Sequence, residues 1–181
     1  LCPRLGVSPR RPSRARSGTT GEMPVGNVGQ LFLSWNVNGL RAALGKGLIE
    51  VLKTVNADIV ALQEIKAQPE QLPEEIRNLP GYHSFWHAAE KKGYSGTAVL
   101  SRREPLRVRY GIDQPEFDRE GRILTLEFSD FFFINAYFPN AQDELKRLDY
   151  KLAFDEAMLA YANRLKAEKS VVLCGDFNVA H

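Results

Sequence analysis

The sequence predicts an α/β domain built around mixed β-sheet. Three observations predict it: a strand, helix, strand unit opens the folding region, a succession of strands with short breaks follows, and a long helical period then precedes a last buried strand. The 181 residues are 44% hydrophobic, 10% aromatic and 25% charged, as in a globular domain and unlike a fibrous or unfolded chain. No apolar run approaches the roughly 18 residues of a membrane span, so no membrane partner is expected.

The elements follow in order. Residues 1–30 are rich in Arg, Ser, Pro and Gly without apolar periodicity, which predicts a disordered tail that cannot offset its ordering entropy. It reads either as a basic arm or targeting peptide, or as sequence upstream of a start at Met23. Of the 24 Lys and Arg, five lie in this tail beside the one acid Glu22, leaving 19 basic against 21 acidic residues for positions 31–181. A nucleic-acid partner would therefore meet a local basic surface around an acidic site, not a globally positive domain. Cys2 and Cys174 cannot make a disulfide framework, so a reducing, intracellular setting is expected.

LFLSWN (Leu31–Asn36) is an apolar run of strand length, and Gly39–Val55 carries Leu40, Leu44, Leu48, Val51, Leu52 and Val55 at helical spacing. DIVALQ (Asp58–Gln63) is a second buried strand, and Pro69–Arg77 a short acidic helix closed by Leu79-Pro80-Gly81. YHSFWH, GTAVLS, LRVRYG, GRILTLEF and DFFFINAYF then predict an antiparallel meander. Asp143–Glu168 returns to helical periodicity through Leu145, Leu148, Leu152, Phe154, Met158, Leu159, Tyr161 and Leu165, and Val171–Asp176 is a last buried strand. A strand that delivers Gly175, Asp176 and Asn178 should lead into more structure, so residues 31–181 are expected to be the front part of a longer domain.

Ligands of α/β folds gather beyond strand ends. Four apolar strands here end on polar residues: Asn36 with Asn38, Glu64, Tyr137 with Asn140, and Asp176 with Asn178. Two carboxylates, four amides and a phenol suit a hard divalent cation and a water activated against a phosphodiester. In that reading Glu64 is the main metal ligand, Asp176 takes the proton of the attacking water, Asn178 and Asn36 hold the water and phosphate, and Tyr137 donates to a phosphate oxygen gaining charge. Each residue alone also has a plain structural role: a capping acid at Glu64, turns at Asn36, Asn38, Asp176 and Asn178, a half-buried strand residue at Tyr137. No Ser-His-Asp or Cys-His arrangement competes, since His83 and His87 fall in a strand and His181 is terminal.

SWNVNGLRA (Ser34–Ala42), LQEIK (Leu62–Lys66), GYSGTAVLSR (Gly93–Arg102), EGR (Glu120–Arg122), NAYFPNA (Asn135–Ala141) and LCGDFNVAH (Leu173–His181) occur in the order seen in exonuclease III-type apurinic/apyrimidinic endonucleases. The sequence resembles that family, part of the wider endonuclease/exonuclease/phosphatase superfamily, from Leu31 to His181. The resemblance implies a four-layer α/β sandwich, two mixed sheets face to face with helices outside, and cleavage of duplex DNA 5′ to abasic sites with Mg²⁺, in repair of excised bases. It puts Glu64, Asn38, Asp176 and Asn178 around the metal, with Asp176 activating water and Asn178 positioning it. Tyr137 and Asn140 look like contacts to the scissile phosphate, and Asn36 like the amide that steadies the network. The loop Gly93-Tyr94-Ser95-Gly96 resembles a DNA-backbone-contacting loop, and Arg41, Lys66 and Arg147 resemble phosphate or network contacts.

The sequence departs from the family where Ile65 replaces a common Thr and where Asn38 replaces a common Asp; the amide at 38 removes one possible anionic ligand, which should tune metal affinity rather than abolish it. The family's later strands and a closing Asp-His pair are not in this chain, so weak turnover by these residues alone is expected. Mn²⁺ should also be accepted by an oxygen-rich site, 3′-exonuclease or 3′-phosphodiesterase activity is a further expectation, and a full-length protein is expected to be a monomer, cytoplasmic or nucleoid-associated in a bacterium and nuclear or organellar in a eukaryote. The alternatives are a deoxyribonuclease I-like, inositol polyphosphate phosphatase or sphingomyelinase branch of the superfamily, which would lack NGLRA and GYSG, and a non-catalytic nucleic-acid-binding module served by the Arg-rich tail.

Overall fold

Two parallel strands start the first sheet: β1 (Phe32–Asn36) pairs β2 (Ile59–Gln63) in register Phe32 to Ile59. The crossover between them carries helices α1 (Leu40–Leu44) and α2 (Leu48–Val55). The periodicity predicts one helix here; the structure breaks it at Gly45-Lys46-Gly47, because Gly47 takes a left-handed φ of 88° that turns the chain before Leu48. The acidic stretch Pro69–Arg77 likewise divides, into a 3-10 turn at Pro69–Gln71 and helix α3 (Glu74–Arg77), with Pro73 between them. Strands β3 (His83–His87) and β4 (Thr97–Ser101) complete the sheet in the order β1-β2-β4-β3. The coordinates, a computed structural model, describe residues 29–141 and 143–179; most of the tail expected over 1–30, with Cys2, and His181 lie outside them.

The expected five-strand meander does not form as one sheet. After Ser101 the chain crosses through Arg102–Leu106 to a second sheet, where β5 (Arg107–Tyr110), β6 (Ile123–Glu127) and β7 (Phe131–Tyr137) make a three-strand meander. Pro105 in the crossing cannot donate to a ladder, and the apolar inner faces on either side are satisfied by stacking rather than by extending one sheet. A short helix α4 (Pro115–Asp118) interrupts β5 and β6 and is not legible in the sequence as a separate element. Helix α5 (Leu148–Lys166) starts later than the periodicity predicts, since Glu144 and Leu145 have positive φ. It returns the chain to β8 (Ser170–Asp176), parallel to β7.

Three apolar cores separate four layers, which bears out the sandwich. Val60 and Leu62 of β2 face α1, α2 and α3 through Leu40, Leu48, Leu52 and Ile76. Alternate residues Ile59 and Ala61, with Val99 of β4, face the other sheet, meeting Leu124, Leu126 and Phe133. Phe132, Ile134 and Ala136 of β7 pack on Phe154, Met158, Tyr161 and Leu165 of α5. Strands β2 and β4 are covered on both faces and read as unbroken apolar runs for that reason.

Candidate active site

The C-terminal ends of β1, β2, β7 and β8 lie at one end of the sandwich: β1 runs parallel to β2 and β7 to β8, and Asn36 at the end of β1 bonds Asp176 at the end of β8. Gly175 allows the last pair to close: its φ is 150°, and a Cβ there would overlap the Ala136 carbonyl oxygen. Tyr137 and Asp176 are register partners at this rim.

Asp176 holds the two sheets together at the site. Asn36 Nδ2 donates to its Oδ2 at 2.7 Å across the sandwich, and the Asn178 backbone N–H donates to its Oδ1 at 3.0 Å. Asn36 Oδ1 accepts from the Asn38 N–H at 2.9 Å, and Asn178 Nδ2 donates to the Phe138 carbonyl at 2.9 Å. Both amides are thus turned into position by the segments that follow the strands. Lys151, on the buried stripe of α5, donates to the Phe177 carbonyl at 3.1 Å and so braces the loop after Asp176.

The Glu64-Ile65-Lys66 segment is tied by its backbone on both sides. Gly39 and Leu40 N–H groups donate to the Glu64 and Ile65 carbonyls at 2.8 Å, and Ile65 and Lys66 N–H groups donate to Gly96 and Ser95 carbonyls at 3.1 and 2.9 Å. The frame keeps Asn38, Glu64, Lys66, Ser95 and Asn178 at φ between 44° and 57°, a left-handed region that L residues enter at a cost. Such outliers gather where side chains must be aimed, and here they gather around the strand ends.

Glu64 Oε1 and Asn38 Oδ1 converge on one cationic point, the Lys66 ammonium, at 2.9 and 2.6 Å. Two hard oxygen donors that already close on a cation fit a Mg²⁺ or Mn²⁺ ligand pair, which needs only one or two carboxylates. Among the described residues no cluster of three or more His, Cys, Asp or Glu forms; the two oxygens that meet here are one carboxylate and one amide. Burial, chiefly, and then the charge of Glu64 push the Tyr137 phenol up to about 12; Asp176 and Tyr94 add to this and Arg122 opposes it. Tyr137 therefore stays a proton donor at neutral pH.

A second cluster borders the site. The Tyr94 hydroxyl accepts from Arg122 at 3.0 Å and Arg147 at 2.7 Å, and both guanidiniums also bond Glu120, at 2.6 and 2.9 Å. Arg122 is 2% exposed and lies over the Tyr137 ring, 4.7 Å from its centroid. With two N–H groups directed at its oxygen, the Tyr94 hydroxyl is used here as an acceptor, and its own proton is available to a further acceptor. Gly93 and Asn140 are exposed beside this cluster, and Arg41 is exposed on α1. Ser95, in the same loop, is buried; its hydroxyl has no partner among the described residues and its carbonyl accepts from the Lys66 N–H.

Sequence reasoning missed Arg122 and Glu120 as site residues although EGR was legible, because nothing local shows that they orient Tyr94. It missed Lys151 too, where a lysine on a buried helical stripe was a usable signal.

Residues 33–181 match the profile of the Endonuclease/Exonuclease/phosphatase family. The chain belongs to this family. It is 50% identical over 151 residues to an exodeoxyribonuclease of Bacillus subtilis (strain 168), covering 83% of this chain and 59% of that protein. It is 49% identical to the DNA repair nuclease APEX1 of Danio rerio, covering 82% of this chain and 48% of that one. The chain thus spans about half of the relatives it matches. Among solved structures, an AP endonuclease from Archaeoglobus fulgidus superposes with a TM-score of 0.71 at 30% identity, covering 83% of this chain and 58% of that one. The 3′ phosphatase NExo from Neisseria, bound to product DNA hairpin, superposes with a TM-score of 0.72 at 27% identity, covering 84% and 59%. These likenesses bear out the resemblance carried by the six motifs.

Proposed function

We propose that this protein hydrolyses the backbone of duplex DNA 5′ to abasic sites, in base excision repair, with Mg²⁺ as its cofactor and Mn²⁺ accepted by the same donors. The observation that carries the proposal is the pairing of Tyr137 with Asp176: a protonated phenol and a carboxylate held by two donors stand side by side at one strand end. Glu64 and Asn38 would hold the metal, with Asp176 and Asn178 near it, and when bound it supplies Lewis-acid polarisation of a phosphoryl oxygen. Asp176 takes the proton of the attacking water while Asn36 and Asn178 fix its carboxylate. Tyr137 donates to a non-bridging oxygen as charge grows there. Arg147 and Arg122 aim Tyr94 at the DNA backbone, with Gly93, Asn140, Arg41 and Lys66 contributing backbone contacts.

A second reading, trimming or dephosphorylation of 3′ ends by the same chemistry, is favoured by the likeness to the Bacillus subtilis exodeoxyribonuclease and the Neisseria 3′ phosphatase. Residues 31–181 form the catalytic domain's front part in this proposal, the active protein is a monomer, and its place is inside the cell. No helix among the described residues is long and apolar enough to cross a membrane. Since the chain matches 59% of the length of the bacterial relative, we expect slower turnover from these 181 residues alone; one positioned acid–base group is worth about 10²- to 10⁴-fold.

The test is cleavage of a 5′-labelled duplex with one abasic-site analogue, by the protein and by Glu64→Ala, with Mg²⁺ and with chelator, beside a 3′-phosphate duplex. Incision 5′ to the lesion that needs both Mg²⁺ and Glu64 supports the first reading. Turnover of the 3′ substrate alone favours the second, and turnover indifferent to Glu64 overturns the site.

A further inference from the structure

One layer beneath the site, a buried polar pair interrupts the apolar interface between the sheets. Gln63 and Asn135 are 1% and 0% exposed. Gln63 Nε2 donates to Asn135 Oδ1 at 2.8 Å, and also lies 3.0 Å from Ser34 Oγ and 3.3 Å from the Ala61 carbonyl. Asn135 Nδ2 donates to the Leu62 and Ala98 carbonyls, each at 2.9 Å, so a side chain of β7 bonds the backbone of both central strands of the other sheet. Ile59, Ala61, Val99, Leu124, Leu126 and Phe133 fill the rest of this interface with hydrocarbon.

Cohesion alone does not call for two amides here. Burying them is unfavourable unless each is bonded, and apolar side chains of equal volume join sheets without that demand. What the amides add is a fixed separation and register, because hydrogen bonds tolerate little change in length or angle while apolar contacts can slide. That matters at this place. Gln63 directly precedes Glu64, and Asn135 lies two residues before Tyr137 on the same face of β7. Asn36, Asn38 and Glu64 come from one sheet, whereas Tyr137, Asp176 and Asn178 come from the other, so the site works only if the sheets keep one spacing.

We infer that Gln63 and Asn135 are a positioning pair that sets the distance between the metal-holding half and the proton-transferring half of the site. The inference rests on the metal-dependent hydrolysis proposed above. The pair touches neither water nor substrate; it acts through Glu64 on one side and through Tyr137 and its partner Asp176 on the other. The Asn36 to Asp176 bond at the rim then completes an alignment begun in the interior.

The test compares the 181-residue protein with Gln63→Met/Asn135→Leu, which replaces both amides by apolar groups of similar size, and with Thr125→Val. Thr125 loses a different buried bond, from Tyr161 Oη at 2.9 Å, and serves as a control for general loosening. Mn²⁺ affinity is measured by electron paramagnetic resonance, alongside thermal melting and, on the abasic duplex, kcat and KM. The expected result is a folded double variant whose Mn²⁺ binding weakens about 10-fold or more, as supporting partners of ligands typically require, with a fall in kcat and an unchanged KM. Thr125→Val should melt lower and bind Mn²⁺ like the parent. A folded double variant with parental Mn²⁺ affinity and kcat overturns the pair's role while leaving the hydrolase reading intact. Mn²⁺ binding by the parent that Glu64→Ala does not change overturns both. If the double variant does not fold, Asn135→Ser, too short to reach both carbonyls, takes the same measurements: weakened Mn²⁺ binding with lower kcat supports the pair's role, and parental values overturn it.

Discussion

Tyr137 and Asp176 divide the proton work of the proposed reaction, and their substitutions should differ in kind. Tyr137→Phe keeps the ring over Arg122 and removes the donor; the expected loss is about 10²- to 10³-fold in kcat, the size of one oxyanion donor. Asp176→Asn keeps the shape but cannot accept the proton, and should lower kcat about 10²- to 10⁴-fold with KM nearly constant. Single-turnover cleavage of the abasic duplex separates the two, and an Asp176→Asn protein at parental rate would remove Asp176 from the chemistry. Strand-end residues were legible because polar side chains interrupt apolar runs there. Gln63 and Asn135 were not: each looks like one more strand residue, and their bond joins positions 72 apart in sequence. Likewise Lys66 was legible as a basic residue near DNA, but not as the cation that gathers Glu64 and Asn38.

Among the elements, β8 has little room beside β7. A side chain at Gly175 would collide with the Ala136 carbonyl of β7, and the strand would have to move away from its partner just before Asp176. Gly175→Ala should therefore cost about 1–3 kcal/mol by urea unfolding and weaken catalysis beyond its effect on stability. Parental stability in that variant would show that β7 and β8 have room the geometry denies them. The elements were readable to the degree that burial forced their pattern. β2 and β4, covered on both sides, announced themselves, and so did the stripe of α5. The breaks were not readable, because Gly45 and Gly47 are tolerated within a helical period until tertiary packing asks the chain to turn. The passage from β4 to β5 looks in the sequence like one more turn of a meander, since alternation within a strand does not say which of two sheets will take it.

At the scale of the whole molecule, alkaline pH should be the weak side. Burial pushes Tyr137 and Tyr150 up to about 12 from 10.0, and Cys174 up to about 11 from 9.0. Above pH 9 the unfolded chain sheds these protons while the folded chain retains them. The contribution to stability is thus whole below the unfolded values and is lost as pH rises through about 9 to 12. Melting temperatures should fall between about pH 9 and 12, and the Tyr137→Phe/Tyr150→Phe protein should show a shallower fall above about pH 10; an equal slope in both would exclude these phenols as its source.

The left-handed residues around the strand ends set the protein's interests against each other. Glu64, Lys66 and Ser95 hold conformations that glycine would adopt without strain, each relieving about 1–2 kcal/mol. A population of variants selected only for survival of heating should drift toward glycine at these positions, and the drift at Glu64 should remove the proposed metal ligand, whereas glycine at Ser95 keeps the carbonyl that accepts from Lys66. Sequencing such survivors would read out, position by position, how much endurance the site gives up in order to act.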